Sequence, residues 1–194
     1  MILGFALQTP ISPSYRIGDR IQIDTFTGDV VEVNYLDTTL WEFGGDYLTN
    51  DVPSGRLIRF PNSLVFPSAV YNYSWDKFPY IWNEIPFHIA YESDLNFVET
   101  TIRESTKKVL GDEMADRISD LKELVKQTPV DKLEIKEYRY VSFRTNTNTW
   151  LEAIVTYLVA PKQAALVRNR ILKAVVVALL KEPDKVMFPK SNNR

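Results

Sequence analysis

The sequence contains no cysteine and only one histidine, His88. The absence of cysteine excludes disulfide frameworks, thiolate metal sites and cysteine nucleophiles. A single histidine also excludes the usual zinc-binding spacings and any catalytic arrangement that needs two histidines. Glycine is scarce, with 7 residues in a chain of 194. The one adjacent pair, Gly44–Gly45, lies in a predicted hairpin rather than before a helix, so the sequence predicts neither a phosphate-binding loop nor a bound cofactor.

The chain also lacks an excess of one charge and a long apolar run. Lysine and arginine total 23 against 25 acidic residues, which gives a formal net charge of −2. No global positive field therefore attracts nucleic acid or anionic lipid, and no nucleic-acid partner is expected. The longest uninterrupted apolar run is Ala174–Leu180, whereas a membrane-spanning helix needs about 20 such residues. From its composition the chain is expected to be soluble.

What the sequence does contain is typical of a globular protein, with 45% hydrophobic and 12% aromatic residues. The pattern of its first half predicts short strands. Ile17, Ile21 and Ile23 alternate as in a half-buried strand, and Thr27–Asp29 is predicted to be a turn. Further strands are predicted at 30–33, 38–43, 57–60 and 64–70. Five short strands joined by tight turns favour a small β-barrel.

The second half has a different pattern. Helices are predicted at 94–110, with Ser93 or Asp94 as the N-cap and Gly111 past the end, and then at 113–126 and 161–180. Strands are predicted at 86–91, 133–139, 141–144, 150–159 and 186–188, and the strand at 150–159 should be central in its sheet because one of its faces is apolar throughout. This β-α-(α)-β-β-α-β order is the ferredoxin-like arrangement. The boundary between the two halves is expected near residues 70–83.

Two features between and within these halves could carry chemistry. Residues 71–83 form an aromatic connector that could stack bases or sugars, but Lys77 is its only basic residue, so internal packing is favoured. His88 lies inside a predicted strand and is interpreted as a satisfied core or interface histidine rather than a general base. The charged stretch 103–137 mixes both signs, as a solvated helical face does. No enzyme is predicted, and a hydrolase or synthase that uses carboxylates ranks last.

Five short motifs in order resemble the small-conductance mechanosensitive ion channel family (MscS-like). They are Gly4–Gln8 (GFALQ), Tyr15–Ile21 (YRIGDRI), Thr27–Val33 (TGDVVEV), Thr38–Leu40 (TTL) and Phe60–Ser63 (FPNS). Ile89–Asp94 and Val186–Pro189 also resemble later segments of the family. The structural-motif residues that this resemblance marks are Arg16, Gly18, Asp19, Gly28, Val30, Thr39, Pro61 and Asn62. A turn or a close backbone approach would exclude a Cβ at Gly18 and Gly28. Pro61–Asn62 would end a strand.

The resemblance implies an α+β fold, with a small Sm-like (SH3-like) β-barrel followed by a ferredoxin-like α/β domain. In those terms residues 1–14 would be a remnant of the pore-helix start and a linker, and 15–70 the barrel. Residues 71–83 would be the aromatic connector, and 84–194 the ferredoxin-like domain with an inserted helix near 113–127.

Three departures from the family pattern stand out. Only Thr9–Ser14 separates the first two motifs, and its two prolines forbid the pore helix expected there. No transmembrane helices precede the motifs, and little chain follows Phe188–Pro189. We therefore expect an excised region of a longer channel. The parent would lie in the inner or plasma membrane, with this region on its cytoplasmic side.

The function that the resemblance implies is that of a vestibule in a channel that opens under membrane tension and releases ions and small osmolytes. The partners would be other copies of the chain, as a homoheptamer in the intact channel, and the lipid bilayer through the missing helices. The alternative is an Sm-like RNA-binding module fused to an α/β domain, and RNA affinity that falls steeply with salt would favour it.

Overall fold

The computed structural model describes residues 14–45, 52–127, 141–145 and 150–188. The chain has a mixed α+β architecture in which the strand pairs of known register are antiparallel. It divides into two compact units. Unit 1 contains the described residues up to Ile81 together with Ala160–Ala165, and unit 2 contains Trp82–Val159 and the described residues from Leu166 onward.

Unit 1 is built on a five-stranded sheet. Its strands are β1 (Arg20–Ile23), β2 (Phe26–Val33), β3 (Asp37–Phe43), β4 (Pro53–Pro61) and β5 (Val70–Asn72). Their order is β4-β3-β2-β1-β5, so β4 and β5 are the two edges. These edges do not pair with each other in the part of the chain that is described, and the sheet is not a closed barrel. The predicted mixed α+β class is correct, while its finer Sm-like form is not established by this sheet.

The core of unit 1 follows the alternation read from the sequence. Ile21 and Ile23 on β1 are fully buried, and Val30 on β2 lies directly opposite Leu40 on β3. Ile17, which the alternation placed on the same face, is 65% exposed because β1 begins only at Arg20.

Two predictions for unit 1 are wrong. The turn predicted at Thr27–Asp29 lies inside β2, and the chain reverses at Asp24, whose φ of 52° is one that aspartate tolerates better than most residues. The fifth strand predicted at 64–70 is a short 3₁₀ helix over Asn62–Val65 followed by β5. Pro67 has no N–H to donate to a ladder, so pairing resumes only after it.

The described part of unit 2 contains a three-stranded sheet and three helices. Its elements are β6 (Ile81–Ala90), α1 (Leu95–Leu110), α2 (Glu113–Lys126), β7 (Val141–Thr145), β8 (Trp150–Val159) and α3 (Ala164–Leu179). The strand order is β6-β8-β7, which confirms the central position predicted for 150–159. A 3₁₀ turn, Pro161–Gln163, replaces the first turn of the helix predicted from residue 161.

The helix boundaries in unit 2 have clear local causes. The Asp94 carboxylate accepts hydrogen bonds from the backbone N–H of Asn96 at 3.0 Å and of Phe97 at 3.1 Å, as an N-cap does. Gly111 ends α1 with a φ of 66°. The predicted helix 113–126 matches α2.

The end of unit 2 differs from the ferredoxin-like prediction. The strand predicted at 133–139 lies outside the described residues. Residues 186–188 are not a strand, although the Ala90 N–H donates to the Met187 carbonyl at 2.7 Å and the Asp94 N–H to the Lys185 carbonyl at 2.8 Å. These are separate hydrogen bonds rather than a continuous ladder, so no fourth strand is assigned. Within the described ranges, no helix has both the length and the apolar character needed to cross a bilayer.

Candidate functional site

The first group of motif residues forms the turn that leads into β1. The Asp19 carboxylate accepts hydrogen bonds from the Arg16 backbone N–H at 2.9 Å and from the Asn72 side-chain amide at 2.9 Å. Gly18 has a φ of +95°, which strains any other residue. The Gly18 N–H donates to the Val30 carbonyl at 2.8 Å, and the Val30 N–H donates to the Asp19 carbonyl at 2.8 Å. This turn joins β1, β2 and β5.

The next motif residues lie where β2 and β3 pair. A Cβ built on Gly28 would lie 2.5 Å from the carbonyl oxygen of Trp41, so no side chain fits there. Val30 belongs to the buried core, and Thr39 is buried opposite Glu32. These positions set the packing of the two strands.

Asn62 stabilises the turn between β2 and β3 through hydrogen bonds. Its side-chain amide donates to the carbonyls of Asn34 at 2.8 Å and Tyr35 at 3.2 Å, and its backbone N–H donates to the Leu36 carbonyl at 2.9 Å. Its side-chain oxygen accepts a hydrogen bond from the Thr38 hydroxyl at 2.8 Å. Every polar atom on this buried side chain has a partner, which is the condition under which a buried amide stabilises a fold.

The same network extends to Tyr15. Its hydroxyl lies 2.9 Å from the Thr38 hydroxyl oxygen, and because Thr38 donates to Asn62, Tyr15 is the donor. Burial raises the pKa of Tyr15, and the Thr38 hydrogen bond partly opposes that rise. Pro61, the remaining motif residue, is exposed at the end of β4 opposite Asp37.

Arg20 forms a buried cluster that the motif analysis missed. Its guanidinium donates from Nε and Nη2 to the two carboxylate oxygens of Asp29, each at 2.9 Å. Its Nη1 donates to the Pro161 carbonyl at 3.0 Å, and the guanidinium lies 3.4 Å from the centre of the Phe43 ring. Planar, bidentate pairing and stacking of this kind are specific to arginine.

A second contact attaches the same segment to unit 1. The Lys162 ammonium donates to the Gly18 carbonyl at 2.8 Å. Arg20 and Lys162 therefore hold residues 160–165 against the strands of unit 1. Arg20 and Asp29 are cross-strand partners, and only the strand register, which the sequence alone did not supply, could have identified the pair.

Glu42 carries a buried carboxylate in unit 1. Arg56 donates to it from Nε at 2.6 Å and from Nη2 at 2.8 Å, and the Ser54 hydroxyl also donates to it. The Arg56 hydrogen bonds, followed by that of Ser54, hold the pKa of Glu42 below its usual value. This group ties β3 to β4 and leaves no free base.

His88 lies in unit 2 beside Glu152 on the neighbouring strand. Its Nε2 is 3.2 Å from a Glu152 oxygen, while Arg144 donates to the other oxygen from Nε at 2.9 Å and from Nη2 at 2.6 Å. Hydrogen bonds from Arg144, and more weakly from His88, lower the pKa of Glu152. The histidine is partnered as predicted, but its side chain is 50% exposed, so it is not a core residue.

These geometries do not assemble a reaction centre from the described residues. No cluster of three or more histidine, aspartate or glutamate side chains among them could hold a metal ion. An open depression of about 580 Å³ is lined by Pro61, Ser63, Leu64, Phe66 and Pro67, none of which titrates. The predicted motif residues instead form three separate structural contacts: the turn before β1, the β2–β3 approach and the Asn62 network. The fold and these contacts define a structural module of mixed α+β architecture.

Comparison with known proteins relates part of this module to a described family and its fold to solved structures. Residues 6–75 match the family described as "Mechanosensitive ion channel, beta-domain". The fold is similar to that of Helicobacter pylori MscS in its closed state, at 18% identity and a TM-score of 0.66, covering 100% of this chain and 62% of that one. It is also similar to Arabidopsis thaliana MSL1, at 15% identity and a TM-score of 0.53, covering 98% of this chain and 58% of that one. No curated protein sequence matches the chain.

The match over residues 6–75 confirms the resemblance to the MscS-like mechanosensitive ion channel family that the motifs predicted. This is a family of membrane channels and not a class of enzymes. The chain spans about three fifths of the length of the solved channels named above.

Proposed function

We propose that this chain is the vestibule region of a channel that opens under membrane tension and releases ions and small osmolytes. The observation that carries the proposal is the β-domain match over residues 6–75, on a sheet whose motif residues form the contacts described above. The pore and the gate are assigned to other parts of such a channel. The parent would lie in the inner or plasma membrane, with this region on the cytoplasmic side.

The vestibule is proposed to be a ring of identical chains, a homoheptamer in the intact channel, with side portals for solutes. In a ring, each charge that lines the cavity recurs once per subunit, so a modest charge on one chain becomes a strong local field. That field would bias which ions accumulate near the pore.

The finer fold assignment is part of the same proposal. Residues 15–70 would form an Sm-like barrel in the assembled channel, 71–83 an aromatic connector and 84–194 a ferredoxin-like domain with an inserted helix near 113–127. The hydrogen-bonding positions of Arg16, Gly18, Asp19 and Asn62 support a structural role for the motif. The same role is proposed for Gly28, Val30, Thr39 and Pro61, and no catalytic role is proposed for any of them.

The test is made on the natural gene that encodes this chain. It would be expressed in cells that lack their own mechanosensitive channels, with empty vector and a known channel as controls. We expect survival of a sudden drop in osmolarity and currents in membrane patches that appear only under suction. Protein that reaches the membrane but gives neither result would contradict the proposal. No observation favours the RNA-binding alternative, which the salt dependence of RNA affinity would reveal.

A further inference from the structure

Helix α3 carries a basic and apolar surface that faces away from its own core. One side of the helix is buried through Ile171, Val175 and Leu179. Every charged residue from Lys162 to Lys181 is basic. Arg168, Arg170, Lys173 and Lys181 are all exposed.

The outward side of α3 also holds large apolar side chains. Leu166 is 63% exposed, Val177 51% and Leu180 58%. With 3.6 residues per turn, the positions 166, 170, 173, 177 and 180 fall on one line opposite the buried side. We call this line the α3 stripe: Leu166, Arg170, Lys173, Val177 and Leu180. A contiguous basic and apolar helix face of this kind fits an acidic partner surface.

An acidic surface with matching form occurs on α2. Asp116, Asp120 and Glu123 are exposed and lie on one line, on the side of the helix away from the buried Met114. We call these three residues the α2 stripe. Along α2 they extend over about 10 Å at 1.5 Å per residue, a length comparable to that from Arg170 to Val177 on α3.

The charges of both stripes lack ion-pair partners in the described part of the chain. None of Arg170, Lys173 or the three α2-stripe carboxylates takes part in a salt bridge there. Elsewhere on α1 and α2 the acidic residues Glu99 and Glu113 are each paired with an arginine four residues on. The two stripes are thus complementary in charge, and among the described residues neither has an ion-pair partner.

We propose that the α3 stripe of one copy of this chain binds the α2 stripe of a second copy. The contact joins two different surfaces, so it is a head-to-tail contact that can close into a ring when the rotation between copies allows it. Its opposite charges set the register of the two helices, and burial of the apolar α3 residues contributes the hydrophobic part of the affinity. The inference rests on the proposed function, because it assumes that identical chains associate.

The experiment compares charge-reversed variants of the full 194-residue chain by sedimentation velocity. One variant carries Arg170→Glu with Lys173→Glu, and a second carries Asp116→Lys with Asp120→Lys. We expect each variant alone to associate at least about tenfold more weakly than the unmodified chain, because like charges then face each other. An equal mixture of the two should associate again, as should one chain that carries all four changes, because opposite charges face each other at every contact.

Lys77→Glu with Lys107→Glu is the matched control. It reverses two exposed lysines with the same change in net charge as the α3 variant, and it should leave association unchanged. Circular dichroism establishes that each variant is folded. An α3 variant that associates as well as the control, or a mixture that stays dissociated, would overturn the proposal. So would α3-dependent binding to phosphatidylglycerol vesicles, absent with phosphatidylcholine, in a chain that does not self-associate.

The outcomes separate this inference from the proposed function. A chain that associates regardless of the charge reversals would reject the α2–α3 contact and leave a vestibule assembled through another surface. Absence of tension-activated current from the natural gene product would reject the channel function. It would do so even if the purified variants associate weakly alone and strongly when mixed.

Discussion

Arg20 and Asp29 are direct cross-strand partners whose side chains form a bidentate ion pair, with both N–O distances at 2.9 Å. The third donor of the guanidinium reaches the Pro161 carbonyl, which lies 141 positions further along the chain. A single side chain thus connects two strands and a remote segment of unit 1.

Removing this side chain should be costly. Arg20→Ala leaves the Asp29 carboxylate and the Pro161 carbonyl without their donors, so we expect a loss of about 3 kcal/mol in the free energy of unfolding. Arg20→Lys keeps the charge but not the planar fork, and its loss should be intermediate. Chemical denaturation measures both. Arg16→Ala is the control, because it removes an ion pair with Asp76 in which both side chains are exposed, and it should cost less than about 1 kcal/mol. Equal losses in the free energy of unfolding for the Arg16 and Arg20 variants would show that the Arg20–Asp29 pair stabilises the fold no more than an exposed ion pair does.

Gly28→Ala should destabilise unit 1 by about 2 kcal/mol, because the new methyl group would lie 2.5 Å from the Trp41 carbonyl oxygen and force the two strands apart. Thermal unfolding of the variant would measure this loss. Gly18→Ala is a useful comparison, since its Cβ would meet open space and only the positive φ is strained, at about 1 kcal/mol. An alanine at position 28 that unfolds at the unmodified midpoint would contradict the close approach.

The Glu152 carboxylate should contribute a pH-dependent part of the stability. Hydrogen bonds from Arg144 and then His88 lower its pKa in the folded state below the ordinary 4.5. A lowered folded-state pKa means that the contribution is present above about pH 4.5 and is lost as the pH falls through the folded-state value. Glu152→Gln should therefore be less stable than the unmodified chain near neutral pH, and the difference should shrink below that point. Denaturant titrations across this range test it, and a difference that is constant with pH would refute the assignment.

Tyr157 should contribute a pH-dependent part of the stability at alkaline pH. Burial raises its pKa to about 12, and its hydroxyl has no hydrogen-bond partner among the described residues. A raised folded-state pKa means that stability is complete below the ordinary value of 10.0 and is lost as the pH rises toward 12. Tyr157→Phe should keep or slightly increase stability at neutral pH and should remove its share of the alkaline loss. A marked loss in the phenylalanine variant at neutral pH would reveal a hydroxyl interaction.

The elements that the sequence predicted well are those with local causes. The Asp94 cap and Gly111 bound α1 because capping geometry depends on a few neighbouring residues. The central position of β8 was predicted from the face of the strand that is apolar throughout. Residues 64–70 were predicted to be a strand, although 64 and 65 belong to the 3₁₀ helix Asn62–Val65, because a short apolar run does not distinguish the two. Residues 186–188 were mistaken for a strand because a strand needs a ladder that the sequence does not show.

The functional residues divide differently. The motif order predicted the family and marked Gly18 and Asn62, although the Asn62 amide donates to carbonyls 27 and 28 positions away, so the resemblance and not local geometry identified it. The Arg20 cluster and the Glu152 group were missed because their partners are set by strand register and long-range contacts. His88 was correctly expected to have a partner, but its strand position did not reveal which face it occupies.

The attachment of Pro161 and Lys162 to unit 1 has a consequence for biosynthesis. While the ribosome is still translating β7, the first sheet has no access to the residues that complete the hydrogen bonding of Arg20. In a nascent chain halted before β8, the Arg20 guanidinium would lack its Pro161 acceptor, and the Gly18 carbonyl would lack its Lys162 donor. Unit 1 therefore reaches its finished state only after residues 160–165 have left the exit tunnel, although its strands emerge before them.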